Sequence, residues 1–221
     1  MQDGSADCRP LRKDAERNRA LLFEAAGEVF EEQGVNAPLE EIARRAGVGI
    51  ATLYRRFPTR EDLIEALFLQ KVRDFAAASE RALRDDDSWR GFRGLVEWIA
   101  ETQAQDRGFS QVVCASWPQA PELEASLDLA RVNTGALIER AKASGSLRPD
   151  FVFSDLVWML MVNSAYLEAT REVAPDAWRR YMALMLDALR AREADELPPP
   201  LSEEQFEQAM LRLGHARGEA V

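Results

Sequence analysis

One histidine, His215, and two cysteines, Cys8 and Cys114, are all the imidazole and thiol that 221 residues supply. Two thiols make neither a disulfide framework nor a zinc site, and they fit a reducing, cytoplasmic compartment. A lone imidazole near the C-terminus argues against His triads, His-rich metal sites and His general bases. No nucleophile–base pair and no Gly-rich phosphate loop appears, so no catalytic residue, no metal and no cofactor is expected, and an enzyme is not anticipated. No apolar run approaches the ~18–20 residues of a membrane span, so no membrane partner is expected. The longest strong run is Leu156 to Val162. The opening MQDGSADCRPLRKD lacks the apolar stretch of a secretory signal. Strand-like alternation is also missing.

What is present is a core. Hydrophobic residues make up 47% of the chain, which excludes wholesale disorder. The net charge of -10 argues against nucleic acid, but its distribution argues otherwise. Residues 9–60 hold ten Lys/Arg and eight Asp/Glu, a net of +2, so the remainder carries -12. A mildly basic segment is joined to an acidic body, which suggests division of labour.

The chain reads as helices throughout, after an unstructured arm over residues 1–9. The first helix spans about Leu11 to Gln33, with Leu21, Leu22, Ala25, Ala26, Val29 and Phe30 as its stripe and Gly34 as its stop. A short helix from Pro38 to Ala46 has proline in its first turn. Gly47-Val48-Gly49 is a tight turn, and a third helix, Ile50 to Phe57, stops at Pro58. Thr59 and Asp62 read as a cap opening a long fourth helix with Ile64, Leu67, Phe68, Val72 and Phe75. Further helices are expected near 89–105, 108–117, 121–144, 154–172 and 176–191. The fold class is all-α, with a head over residues 10–60, a body over 61–195 and a tail over 196–221 behind Pro198-Pro199-Pro200.

Two short helices joined by a Gly-containing turn and braced by a longer one make a helix-turn-helix. Ala43 and Gly47 are small where the helices cross, and Ile42, Val48, Leu53 and Phe57 point inward. Gly49, Ile50, Ala51, Thr52, Tyr54, Arg55 and Arg56 are left to face outward, on the helix that enters the major groove in this motif. The core Ile42-Ala43, Ala46-Gly47-Val48, Thr52-Leu53-Tyr54, Phe57 and Glu61 resembles the DNA-binding head of the tetracycline-repressor (TetR) family over residues 12–67.

That resemblance implies that Thr52 and Tyr54 hydrogen-bond phosphates and that Arg60, where the family usually has Lys, lies beside the DNA backbone. Arg56 stands where His is common and has the reach for a phosphate or a guanine edge. Two departures stand out. Ala37-Pro38-Leu39 replaces the usual Ser or Thr opening the second helix, and Gly49 replaces a frequent Ser cap. Ile50 and Ala51 suit thymine methyls or a turn lining. Arg44 and Arg45 suit phosphates or a solvated face, and Arg9, Arg12 and Lys13 suit a DNA-reaching arm or plain solvation.

In the body, Cys114 reads as a buried small hydrophobe. The Trp residues read as core or as an aromatic cavity. Gln103, Thr134 and Asn163 interrupt apolar stripes, so they are either a buried polar network or ligand contacts. Trp98, Gln103, Phe109, Trp117, Thr134, Trp158, Asn163 and Tyr166 are the candidate pocket. The helices at 154–172 and 176–191 are apolar on more than one face and are expected to dimerise. The reading is a homodimeric, ligand-responsive repressor of a palindromic double-stranded DNA operator, with a small apolar or aromatic effector. The alternative is a helical small-molecule-binding or partner-binding protein without DNA binding. Retention of Thr52, Tyr54, Arg55, Arg56 and Arg60 favours the first.

Overall fold

The computed structural model describes residues 9–191 and 197–216, and among them lie ten α-helices. The first four are α1 (Arg9–Gln33), α2 (Leu39–Arg45), α3 (Ile50–Arg56) and α4 (Arg60–Leu83). The body follows as α5 (Ser88–Gln105), α6 (Arg107–Val113), α7 (Pro121–Ala143), α8 (Phe153–Thr170) and α9 (Ala177–Ala188). The tail carries α10 (Glu203–Ala216). Leu147 and Arg190 pair as an isolated antiparallel bridge, the only such pairing among the described residues. None of the described helices is long and apolar enough to cross a membrane. Cys8 lies outside the described residues, as do the side chains of Arg9, Arg12, Lys13 and His215, and with them the expected arm.

Local chemistry sets the helix ends. Gly34 follows α1 with φ 86°, a conformation that costs a Cβ-bearing residue dearly, and its N–H donates to Phe30 O. Thr59 and Asp62 form a reciprocal capping box that starts α4. The carboxylates of Asp87, Asp106 and Asp155 accept backbone N–H groups at the starts of α5, α6 and α8. Pro38 differs from expectation: it is the N-cap of α2, with ψ 133°, and the helix begins one residue later. Its extended backbone conformation places it outside the helical turn.

Two apolar clusters hold the chain together. One joins Leu22, Phe30, Ile42, Leu53 and Phe57 of the head to Ile64, Phe68 and Val72 of α4. It also takes in Val112, Trp117, Leu123 and Leu127 around α6 and α7. The other gathers Phe75, Phe92, Ile99, Phe109, Ile138, Phe151, Leu160, Trp178 and Met182 in the body. α4 therefore threads both, packing along α7 and α5. Phe68 and Val72 lie in the head-side cluster, where Phe68 stacks on Phe30 at 6.4 Å. α6 approaches the same ring closely: a Cβ on Gly108 would lie 2.6 Å from Phe68 Cζ. Burying a side chain of this size contributes ~1.5–3 kcal/mol.

α8 is not covered all round. Leu156, Met159, Leu160, Asn163 and Leu167 are buried, but Val162 is 52% exposed. Cys114, the C-cap of α6, is half-buried and not fully enclosed as its sequence context suggests.

Candidate nucleic-acid interface and effector site

α2 buries Leu39, Ile42 and Ala43, and the chain then turns at Gly47, whose φ is 66°. The N–H of Val48 returns to Ala43 O at 3.0 Å and closes the turn. Gly49 is the N-cap of α3 and makes no side-chain cap bond, as its composition dictates. α3 is anchored by Leu53, fully buried, and by Phe57, which stacks on Phe23 at 5.8 Å. The other residues of this helix face out, Thr52 only in part. Ile50 is 36% and Tyr54 44% exposed; Gly49, Ala51, Arg55 and Arg56 are exposed, and Thr52 is half-buried. Among the described residues, Arg55 and Arg56 make no ion pair. This gives one continuous row of two apolar contacts, a phenol, a hydroxyl and two uncompensated cations on a short, firmly seated helix.

Arg45 and Arg60 are situated differently. Arg45 grips Glu32 through two hydrogen bonds at 2.6 and 2.7 Å, reaches Glu41 at 3.4 Å and lies 3.8 Å from Glu28. Those bonds hold its guanidinium more firmly charged and pull the Glu32 carboxyl below its ordinary range. Glu41 is likewise lowered, chiefly by its hydrogen bonds to Arg44. Half-buried Arg60 donates Nη1 to Val35 O at 2.9 Å and to Ala37 O at 2.6 Å. It satisfies carbonyls of the α1–α2 connection left over where the helix ends. The resemblance gives no sign of either arrangement, because Glu32 lies 13 residues from Arg45 and Val35 lies 25 residues from Arg60.

The eight candidate pocket residues do not converge. Trp98 and Phe109 do meet: Phe75 and Trp98 stack at 6.0 Å, and Phe109 meets both edge-on. Gln103 and Asn163 also meet. Asn163 Nδ2 donates to Gln103 Oε1 at 2.9 Å, and Gln103 Nε2 donates to Leu160 O at 3.1 Å. Asn163 is fully buried, and its Oδ1 has no partner. Thr134 turns back on Ala130 O at 2.6 Å, which satisfies its hydroxyl within α7.

Trp117 must be removed from the set. It belongs to the head-side cluster, with its indole N–H on Val112 O at 3.0 Å. Tyr166 lies 37% exposed on α8, stacked on Tyr181 of α9 at 5.6 Å. Trp158 meets Phe206 of the tail helix edge-on, and its buried indole N–H lacks a partner. Ser79, Ser88, Ser110 and Asn133 are buried polar residues that escaped the sequence reading. Ser110 keeps an unpartnered hydroxyl, and Asn133 donates to Ser79 Oγ at 3.2 Å. Asn133 sits beside Thr134 on a helix face that carries Ala130 and Leu137, so its position in that apolar stripe was the available signal.

Residues 22–67 match the family model for bacterial regulatory proteins of the tetR family. An HTH-type transcriptional regulator of Staphylococcus aureus is 36% identical over 77 residues, 34% of this chain and 41% of that protein. The chain thus spans 41% of the length of the curated relatives it matches first. A TetR transcriptional regulator of Streptomyces coelicolor is 30% identical, covering 78% of this chain and 98% of its own, with TM-score 0.44. A gamma-butyrolactone receptor shares the fold at TM-score 0.57 and 20% identity, over 94% of this chain and 100% of its own. The head's seated recognition helix and the residues that seat it are those the family model spans, and residues 22–67 belong to the tetR family of bacterial regulatory proteins.

Proposed function

We propose that the protein is a cytoplasmic homodimeric transcriptional repressor that places α3 of each protomer in the major groove of a pseudo-palindromic operator. The observation that carries this reading is the outer row of α3. Ile50, Ala51, Tyr54, Arg55 and Arg56 are all exposed, with neither arginine neutralised, in an acidic protein that pairs many of its other arginines. Ile50 and Ala51 suit thymine methyls, Thr52 and Tyr54 phosphates, and Arg55 and Arg56 phosphates or guanine edges. Functionally, 10–60 is the DNA-binding unit and 61–195 the effector and dimerisation unit, with 196–221 as a tail.

Dimerisation is supported by the exposed apolar side chains of the packed α8–α9 pair, Val162 at 52% and Leu184 at 56%. The effector reading rests on two features of the body: the buried Gln103–Asn163 pair, whose free Oδ1 asks for a donor, and the Phe75–Trp98–Phe109 aromatic group. A small aromatic or apolar molecule bearing one hydrogen-bond donor fits that chemistry. A chain of the same fold is a gamma-butyrolactone receptor, so this architecture serves elsewhere as a small-molecule receptor.

The test is a fluorescence-anisotropy titration of the full chain against the DNA upstream of its own gene, at two salt concentrations. Affinity that falls steeply with salt and weakens in Tyr54→Phe supports the reading. No binding to that DNA or to flanking fragments would favour a helical ligand-binding protein without a nucleic-acid role.

A further inference from the structure

α4 and α5 diverge from the Asp85–Asp87 turn, and between them lies a cleft of about 310 Å³. That is the lower end of the ~300–1,000 Å³ typical of small-molecule sites. Ala78 and Ala82 form one wall, and Gly91, Gly94 and Leu95 form the other. The small residues create the space. A Cβ on Gly91 would collide with Ala82 O, so the two helices meet there as bare backbone. A Cβ on Gly94 would meet nothing within 4 Å, so any other residue there would project a side chain into open space. Trp98, half-buried, closes one end, and its ring is held by stacking on Phe75.

Three charged residues border this apolar floor. Arg90 holds Asp85 through two hydrogen bonds, at 2.5 and 2.9 Å, and those bonds keep the Asp85 carboxyl below its ordinary range. The two charges cancel. Arg81 is exposed and, among the described residues, makes no ion pair or hydrogen bond. The cleft therefore offers an apolar bed with one uncompensated guanidinium at its rim.

We propose that this cleft binds a small aromatic carboxylate, with its ring on the Gly94–Leu95–Trp98 floor and its carboxylate on Arg81. A guanidinium matches a carboxylate in plane and in hydrogen-bond number. A cationic ligand would be repelled by Arg81, and a neutral one would leave it unused. A protein partner would need ~1,200–2,000 Å² of buried surface, more than a cleft of this size provides. Neither Gln103 nor Asn163 lines the cleft, although Trp98 is shared with the aromatic group of the effector reading, and the cleft's existence does not depend on DNA binding.

The experiment is calorimetric titration of the full chain with phenylpropanoate and with its neutral analogue phenylpropanol. The acid should bind in the millimolar range or tighter, and the alcohol about tenfold more weakly. Arg81→Gln should reduce the acid to the level of the alcohol. Gly94→Leu should abolish binding of both while the thermal midpoint holds or rises, since leucine is the better helix former. Equal affinities for acid and alcohol would overturn the proposal, as would undetectable binding of the acid or binding that survives Gly94→Leu. Loss of binding in Asn163→Leu but not in Gly94→Leu would move the ligand to the buried body pair and equally overturn it. None of these outcomes touches the DNA titration, so the two readings fail separately.

Discussion

The backbone N–H of Val35 donates to Gln111 Oε1 at 2.8 Å, so the turn that ends α1 is held by a side chain of α6. The approach is close: a Cβ on Gly34 would come 2.9 Å from the same oxygen. α6 is also pinned to α4, by the Lys71–Asp106 ion pair and by Phe68 against Gly108. It reaches α8 through the Arg107–Glu168 pair. A short helix tied to the head at one end and to the effector-side helix at the other is placed to pass a displacement between them.

Gln111→Ala should therefore act on coupling more than on stability. Losing one partly buried hydrogen bond costs ~0.5–1.5 kcal/mol, a fall of a few degrees in thermal midpoint for a chain of this size. Operator affinity without effector should change little, while the effector's power to weaken DNA binding should drop. Anisotropy titrations with and without effector measure this. An unchanged effector response would remove Gln111 from the coupling path.

Arg45 is restrained by Glu32, Glu41 and Glu28. Glu32→Gln should release part of its charge towards DNA. Affinity for any sequence should rise severalfold and the salt slope steepen by up to about one unit, the signature of one more phosphate contact. Weaker binding in this variant would mean that the Glu32–Arg45 pair positions α2 and does not hold Arg45 away from the backbone.

The same carboxylates set a pH dependence. Glu32 and Glu41 are lowered by hydrogen bonds to Arg45 and Arg44, and Asp150 is lowered to about 2 by its bonds to Arg148. A carboxyl depressed on folding contributes stability that is full above its unfolded value and is lost as pH falls through its folded value. The thermal midpoint should thus fall progressively as pH drops below the ordinary carboxylate range, the Asp150 contribution lasting until about pH 2. Arg45→Met should shallow the upper part of that decline. A midpoint independent of pH between 5 and 3 would contradict the assignment.

The dimer prediction is sharpened by exposure. Met185 is half-buried and packs on its own protomer's core, so an acid there would also damage the monomer. Leu184 is 56% exposed on the adjacent position. Leu184→Asp should give a folded monomer in sedimentation with nearly unchanged helicity. A variant that remains dimeric would place the interface elsewhere, for example at Leu129 and Val132 of α7.

The head was legible because its signals are local. Gly34, the Thr59–Asp62 cap and the inward spacing of Ile42, Leu53 and Phe57 each fix structure within a few residues. The roles of Arg45, Arg60 and Gln111 were not, since their partners lie 13, 25 and 76 positions away. In the body, periodicity correctly marked Gln103 and Asn163 as inward, but it could not say that they face each other. Trp117 was misplaced because an aromatic residue near a helix end gives no sign of which of two cores it enters. Ser110 gave no signal, being a small polar residue on a helix of only seven residues.

The central claim is that α3 reads DNA, and substitution of its exposed row tests it most directly. Operator affinity should be measured for the intact protein, for Arg55→Ala/Arg56→Ala and for Ile50→Ala, on the upstream operator and on a scrambled duplex. The double arginine variant should lose affinity on both duplexes and show a shallower salt slope, whereas Ile50→Ala should narrow the preference for the operator by roughly 1–3 kcal/mol. Retention of full affinity, salt slope and preference in both variants, with the proteins folded and dimeric, would contradict the account.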